Sequence, residues 1–341
     1  MNVHSFYKER RFHMKLDRRK FLKLIGGSAA AYGLSSLWVP RVAEALEKLA
    51  KGEIPGNLPV VWFQGQSCAG CSISTLNAVY PDIAKVLTQI ISVEFHPNVM
   101  AASGEPAIEV LNRIIEEKAK KFVLVVEGAI PTEAGGAFCT VGEKAGMPLT
   151  SEQWIRRLGP AAKAIINVGT CSAFGGIPAA ENNPTGAQPV SKIVPKATMI
   201  NVPGCPPHPD WVIGTISHVL LFGIPVLDDD SRPKVFYGKN VHENCERYAF
   251  FEAEKFASDY GEEGCYYELG CKGPNSFCDA PLRGWNNGVN TCIKCGSPCI
   301  GCVESTFPDH YGDGLYGKIA AGKFEREGIK EAKKALKTNA A

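Results

Sequence analysis

The sequence predicts an α/β protein, a doubly wound parallel sheet followed by a mostly irregular segment, on three observations. Short apolar runs recur along residues 58–227, an amphipathic helical pattern lies between two of them, and both patterns stop near Asp228. Val60-Val61-Trp62-Phe63 is the first run, and Ile90 to Phe95, Phe122 to Val126, Ala164 to Val168 and Thr198 to Val202 follow it. Runs this short and this continuously apolar read as strands buried on both faces. Ala107 to Lys121 places Ile108, Leu111, Ile114 and Ile115 on one helical face, as a crossover helix requires. The alternation gives residues 58–227 a flavodoxin-like architecture. Residues 228–315 are instead rich in Gly, Pro, Asn and Cys with little periodicity. Such a segment buries too little apolar surface to fold alone, so something else must order it.

The flanks carry less of the fold. Asp17-Arg18-Arg19-Lys20-Phe21-Leu22-Lys23 leads into a weakly apolar stretch from Leu24 to Val39, and Ala43-Glu44-Ala45 offers a small-x-small cleavage site. That is the pattern of a twin-arginine export leader over residues 1–45. As a helix the apolar stretch would span about 24 Å, short of the roughly 30 Å hydrocarbon core of a bilayer. Residues 1–45 hold nine Lys/Arg and three Asp/Glu, so removing them leaves 28 basic against 32 acidic residues, a net charge of −4. No polybasic run suits nucleic acid. Residues 316–341 form a Lys/Glu-rich tail with no hydrophobic anchor after it.

Thirteen cysteines in 341 residues point either to disulfides or to metal. A chain 45% hydrophobic can build a sizeable core, so neither is needed merely to hold the fold together. An odd count also leaves at least one thiol out of any disulfide framework. Cys68-x2-Cys71 follows the first predicted strand, Cys171 the fourth and Cys205 the fifth. Open α/β sheets bind ligands at the carboxyl ends of their strands, so these four thiols are expected to meet at one edge. Neighbouring glycines would let the backbone approach a bulky inorganic body, although a tetrahedral zinc would also accept four cysteines. His242-x2-Cys245 and Cys265-x5-Cys271 make two further short pairs. Cys278 and the run Cys292-x2-Cys295-x3-Cys299-x2-Cys302 complete the crowd. Cys139 follows a Gly-rich turn with no partner at ligand spacing and reads as a free thiol. Glu127, at a strand end near the first cysteines, is either a supporting group behind them or a solvated carboxylate.

Several motifs in order resemble one family. Val61-Trp62-Phe63-Gln64-Gly65-Gln66-Ser67-Cys68-Ala69-Gly70-Cys71, Glu127-Gly128-Ala129-Ile130-Pro131, Gly169-Thr170-Cys171-Ser172-Ala173-Phe174-Gly175-Gly176 and Pro203-Gly204-Cys205-Pro206-Pro207-His208-Pro209 are similar to the small subunit of nickel-iron hydrogenases. His242-Glu243-Asn244-Cys245, Leu269-Gly270-Cys271-Lys272-Gly273-Pro274 and Pro298-Cys299-Ile300-Gly301-Cys302 continue the likeness to about Asp309. The resemblance implies three iron-sulfur clusters in a line, carrying electrons between a nickel-iron centre in a separate large subunit and an external carrier such as a multihaem cytochrome c. It implies a proximal 4Fe-4S cluster on Cys68, Cys71, Cys171 and Cys205, and a distal 4Fe-4S cluster on His242, Cys245, Cys265 and Cys271. Residues 228–315 would then be an iron-sulfur domain, and the export leader would place the protein in the periplasm.

The medial cluster is where this sequence departs from the common pattern. Many members hold a 3Fe-4S cluster on cysteines matching Cys278, Cys299 and Cys302, with proline where this chain has Cys292. A fourth thiolate can hold a fourth iron, so the chain looks closer to the nickel-iron-selenium subgroup, with a medial 4Fe-4S cluster. Cys295 is the rival fourth ligand, and alignment on Val289-Asn290-Thr291 and Pro298-Cys299 favours Cys292. Gly70 and Gly176 stand where oxygen-tolerant members carry extra proximal cysteines, which implies an ordinary proximal cluster. Ser67 replaces a glutamate thought to carry protons in many members. A quinone-reductase-like electron-transfer subunit without hydrogen chemistry is the alternative reading, and the cysteines beyond Cys205 together with the leader weigh against it.

Overall fold

The computed structural model describes residues 58–79, 81–312 and 314–317. The expected export leader and residues 318–341 of the polar tail lie outside the described residues. Five strands form the central sheet: β1 (Leu58–Gln64), β2 (Ile91–Phe95), β3 (Val123–Glu127), β4 (Ala164–Val168) and β5 (Met199–Val202). All neighbours are parallel, in the order β2-β1-β3-β4-β5. The chain thus starts inside the sheet, steps to one edge and returns to fill the other. Its direction reverses between β1 and β3, the switch point at which such sheets open a crevice.

Alternation along each strand divides the core. Val60, Trp62, Val123, Val125, Ile166, Val168 and Ile200 face one side, while Val61, Phe63, Leu124, Val126 and Ile165 face the other. Both faces are covered, which is why the strands read as continuous apolar runs. On the second face, α1 (Glu105–Glu117) contributes Leu111 and Ile114, and α2 (Ser151–Ala161) contributes Trp154, Ile155 and Leu158. Thr150 starts α2 with a reciprocal capping box, its side chain accepting from Gln153 N–H while the Gln153 side chain accepts from Thr150 N–H. On the first face, α3 (Pro209–Phe222) packs Trp211, Val212 and Ile216 against the sheet.

That same core runs on into the segment after Asp228. Phe236, Tyr237, Val241, Tyr266, Ile293 and Val303 belong to it, so the sheet face supplies apolar surface that the segment lacks by itself. Its own regular structure consists of helices no longer than Tyr248–Glu252 and short 3-10 turns. Charge pins the junction. Arg232 is 1% exposed, donates from Nε to Asp228 at 2.8 Å and from Nη1 to the Val303 carbonyl and Glu304, both at 3.2 Å. Burial opposes its charge, but Glu304, Asp228 and Asp230 outweigh that and raise its pKa, so the guanidinium stays charged. The Trp211 indole donates to Asp279 at 2.7 Å, joining α3 to the cysteine-rich half. Among the described residues no helix is long and apolar enough to cross a membrane.

Candidate metal centres

Four of the predicted cysteines meet at the carboxyl edge of the sheet. Cys68 and Cys71 lie where the loop after β1 enters the helix Gly70–Leu76, Cys171 in the helix Thr170–Phe174 after β4, and Cys205 on the loop after β5. The loops approach too closely for side chains. Gly169 has φ +92°, and a Cβ there would lie 2.5 Å from Cys71 Sγ; at Gly176, φ +53°, it would lie 2.9 Å from the Cys171 backbone nitrogen. The thiols act on one another. Cys71 is raised by burial first, then by Glu127 and by Cys171, Cys68 and Cys205. Cys171 is pushed up to about 12 by burial and Cys205. Ser67 turns its hydroxyl back to accept from Ala69 N–H at 3.0 Å.

Glu127 is a buried support, not a solvated carboxylate. At 1% exposure it accepts from the Trp62 indole at 2.9 Å, Gln64 Nε2 at 3.1 Å, the Ser72 hydroxyl at 2.5 Å and the N–H groups of Cys71 and Ser72 at 3.1 and 3.3 Å. Burial alone would raise its pKa, but the bonds from Ser72, Trp62 and Gln64 more than reverse that, so it stays ionised. His96 extends the group: its Nδ1 accepts from Asn98 N–H at 3.2 Å, its ring stacks on Trp62 at 5.3 Å, and its Nε2 lies 3.4 Å from the Ser72 hydroxyl.

A second set gathers around His242. Cys271 is raised to about 11, by burial first and then by Cys245 and Cys265. Gly273 keeps that loop close to the histidine, for a Cβ there would lie 3.3 Å from Cys271 Sγ and 3.8 Å from the His242 backbone nitrogen. Asn240 fixes the turn, accepting from His242 N–H at 2.7 Å. The imidazole sits edge-on to Phe251 at 4.4 Å and Tyr248 at 5.1 Å. Burial lowers its pKa against the opposing pull of Glu243 and Glu252, favouring the neutral form that a metal ligand needs.

The third set lies between the other two. Cys278 is buried and raised by burial, then by Cys299 and Cys302. Cys302 is pushed up to about 12, with Cys292 the largest contributor after burial and Cys205 a smaller one. Cys299 in turn feels Cys271. The third set therefore lies within electrostatic reach of the first, through Cys205 and Cys302, and of the second, through Cys271 and Cys299. Backbone bonds repeat the linkage: Thr170 Oγ1 donates to the Cys302 carbonyl, and Lys272 N–H to the Cys299 carbonyl at 2.7 Å. Cys292 and Cys295 are both exposed as residues. The Cys292 thiol is nonetheless raised by burial, and Cys295 acts on it as a minor neighbour. Cys139 stands apart, near Ser151.

The donor set fits iron-sulfur clusters. Backbone N–H groups two residues on donate to the sulfurs of Cys68 (3.4 Å), Cys245 (3.3 Å), Cys271 (3.4 Å) and Cys299 (3.5 Å), the kind of bond that supports cluster thiolates. No three His, Cys, Asp or Glu side chains among the described residues lie close enough to hold one metal ion. A cubane several atoms across suits such spread thiols better than a tetrahedral zinc does. Spacing alone singles out these cysteines in the sequence, whereas the bonds that Trp62, Gln64 and Ser72 make to Glu127 escape it. Those partners are remote in sequence, and only the strand-end position of Glu127 hints at them.

Both halves of the chain match known proteins. Residues 68–219 match the family model described as NADH ubiquinone oxidoreductase, 20 Kd subunit, and residues 237–313 match the C-terminal family model of the NiFe/NiFeSe hydrogenase small subunit. The first match is shared with quinone-linked enzymes, so the second half distinguishes the chain. It is 46% identical to the periplasmic [NiFeSe] hydrogenase small subunit of Desulfomicrobium baculatum over 312 residues, covering 87% of this chain and 97% of that protein. It is 40% identical to the periplasmic [NiFe] hydrogenase small subunit of Solidesulfovibrio fructosivorans over 299 residues, covering 86% of this chain and 91% of that one. The crystal structure of a reduced, active form of the Ni-Fe-Se hydrogenase from Desulfomicrobium baculatum superposes with a TM-score of 0.73 at 47% identity, covering 76% of this chain and 99% of that chain. The chain belongs to the family of iron-sulfur, electron-transferring small subunits of nickel-iron and nickel-iron-selenium hydrogenases.

Proposed function

We propose that this chain relays electrons from hydrogen oxidation in a large-subunit partner, through three clusters, to a soluble carrier such as a multihaem cytochrome c in the periplasm. The proximal cluster takes Cys68, Cys71, Cys171 and Cys205 in the flavodoxin-like half, residues 58–227. The medial cluster takes Cys278, Cys292, Cys299 and Cys302, and the distal cluster takes His242, Cys245, Cys265 and Cys271, all in residues 228–315. The twin-arginine leader serves export. The observation that carries the reading is the order of the three thiol sets: the Thr170 hydroxyl, beside Cys171, bonds the Cys302 carbonyl, and Lys272 N–H, beside Cys271, bonds the Cys299 carbonyl.

When bound, the clusters supply one-electron carriers. The chain's own residues place them and tune them. Glu127 orients the Cys71 turn, glycines hold the loops together, and backbone N–H groups bond the sulfurs. Apolar side chains keep the sites dry, which sets their potentials. The large subunit would dock at the proximal edge, where Cys68 is exposed and Ile73, Leu76 and Ile177 are 59%, 50% and 55% exposed, since exposed apolar side chains suit an interaction surface.

Cys292→Pro tests the medial assignment. The variant is expected to gain the electron paramagnetic resonance signal of an oxidised 3Fe-4S cluster; an unchanged spectrum removes Cys292 from the site. Production of this chain without its partner is expected to give aggregated, iron-poor protein, measured by size-exclusion chromatography and iron assay. A stable monomer with full iron contradicts the proposed interface.

A further inference from the structure

Thr170 stands where three cysteine-bearing segments converge. It is the first residue of the short helix after β4, just ahead of Cys171, and is 1% exposed. Its N–H donates to the Gly204 carbonyl at 3.1 Å, and Gly204 N–H donates back to Thr170 Oγ1 at 2.9 Å. This reciprocal pair ties the segment of Cys171 to the loop of Cys205. Glycine is required at 204, where φ is +148° and a Cβ would lie 2.5 Å from Pro207 Cα. The third segment is reached by the same hydroxyl, for Thr170 Oγ1 also bonds the Cys302 carbonyl. A carbonyl can only accept, so the hydroxyl proton is aimed at Cys302 while an oxygen lone pair takes the Gly204 N–H.

One side chain thus makes a continuous bonded line between the first and third thiol sets. From Cys171 the line runs through its backbone nitrogen and the whole of Thr170 to the Cys302 carbonyl. From Cys205 it enters the same hydroxyl through Gly204 N–H. Trp211 to Asp279 and His208 to the Gly284 carbonyl also cross between the halves, and neither bond ends on a cysteine. The third and second sets are joined differently, by Lys272 N–H donating to the Cys299 carbonyl at 2.7 Å. That bond is main chain to main chain, whereas the link at Thr170 is a side chain that one substitution removes.

We propose that Thr170 is a positioning residue for the electron step between the proximal and medial sites, its hydroxyl supplying the bonded path from one to the other. The inference rests on the reading of Cys171 and Cys205 as proximal ligands and Cys302 as a medial one. One electron passes from the reduced proximal cluster to the oxidised medial cluster. Hydrogen oxidised in the partner supplies it, and no bond is made or broken in this step. Electronic coupling decays less steeply along covalent and hydrogen bonds than across an open gap of equal length. Removing the hydroxyl therefore slows the step and leaves its driving force alone.

The test mixes the intact two-subunit complex with hydrogen, freezes it at intervals and follows each cluster by electron paramagnetic resonance, in wild type, Thr170→Val, Thr170→Ser and Cys302→Ser. Thr170→Val keeps the shape and lacks the hydroxyl. It is expected to reduce the proximal cluster at the wild-type rate and the medial cluster about tenfold more slowly, at the lower end of the effect of groups that support metal ligands. Redox titration should find both potentials unchanged, and Thr170→Ser, which keeps the hydroxyl, should recover the wild-type rate. An unslowed medial cluster in Thr170→Val, or slowing that comes with a shifted potential, overturns this inference alone when Cys302→Ser alters the medial signal. An unaltered medial signal in Cys302→Ser overturns the ligand reading beneath it. If Thr170→Val loses iron, Thr170→Ala leaves room for water at the stranded Gly204 N–H and Cys302 carbonyl, and the same slowing is expected of it. Loss of iron there too is contrary, since Thr170 would then serve cluster assembly and not electron passage.

Discussion

Replacing His242 by glycine is expected to slow electron delivery from hydrogen to an external dye by about 10- to 100-fold, the range in which disturbing a metal site's coordination acts. Hydrogen-deuterium exchange at the partner's metals should stay largely intact, because that reaction needs no long-range electron transfer. The asymmetry follows from where His242 stands. Lys272, beside Cys271 of its set, bonds the Cys299 carbonyl of the medial set, while Thr170, beside Cys171 of the proximal set, bonds the Cys302 carbonyl. The imidazole is ringed by Phe251 and Tyr248, and the neighbouring Tyr248, Phe256 and Tyr267 are each 37–38% exposed, so this set opens toward solvent. An imidazole in place of a thiolate also leaves the cluster less negative and favours its reduced state. Equal loss of both activities would place His242 elsewhere in the mechanism.

Glu127→Ala is expected to be the most destabilising of these substitutions, by about 3–5 kcal/mol in chemical denaturation of the complex, since each stranded buried donor costs roughly 1–3 kcal/mol. The Trp62 indole, the Ser72 hydroxyl and the N–H groups of Cys71 and Ser72 would all lose their acceptor. Because two of those donors belong to the Cys71 turn, the proximal cluster should lose iron in parallel. Glu127→Gln keeps one acceptor oxygen and turns an amide toward donors, so a smaller loss is expected. An alanine variant with wild-type stability and full iron would show that the carboxylate is dispensable.

The strands were legible in the sequence because both sheet faces are buried. Val123 to Val126 and Ala164 to Ile166 are apolar without interruption, and the structure differs only in where the runs end. The polar residue that closes β3, Glu127, is also buried, which an apolar-run criterion misses. The helix at Glu105–Glu117 starts two residues before the predicted span and ends four before it, since Lys118 to Lys121 turn into β3. The hairpin of Thr140–Lys144 and Met147–Thr150 gave no signal, for most of its side chains face solvent on an irregular register and only Val141, Leu149 and Thr150 turn inward.

The cysteine-rich half was legible in its ligand spacing and not in its shape. Nothing in residues 228–315 has the period of a helix or strand, because the segment is ordered by others: by Tyr237 and Val303 packing on the sheet face, and by Arg232 binding Glu304. Alignment favours Cys292 over Cys295 as the fourth medial ligand.

Iron and acid-labile sulfide, measured together on the purified two-subunit complex, test the central claim most directly. Three cubane clusters held by this chain predict about twelve irons and about twelve sulfides per complex, with one further iron from a nickel-iron centre in the partner. About twelve irons in all, eleven of them in clusters, with the sulfide unchanged would indicate a three-iron medial cluster and remove Cys292 from the wire. Zinc in place of iron, or thiols oxidised in pairs with no sulfide, would contradict the account as a whole.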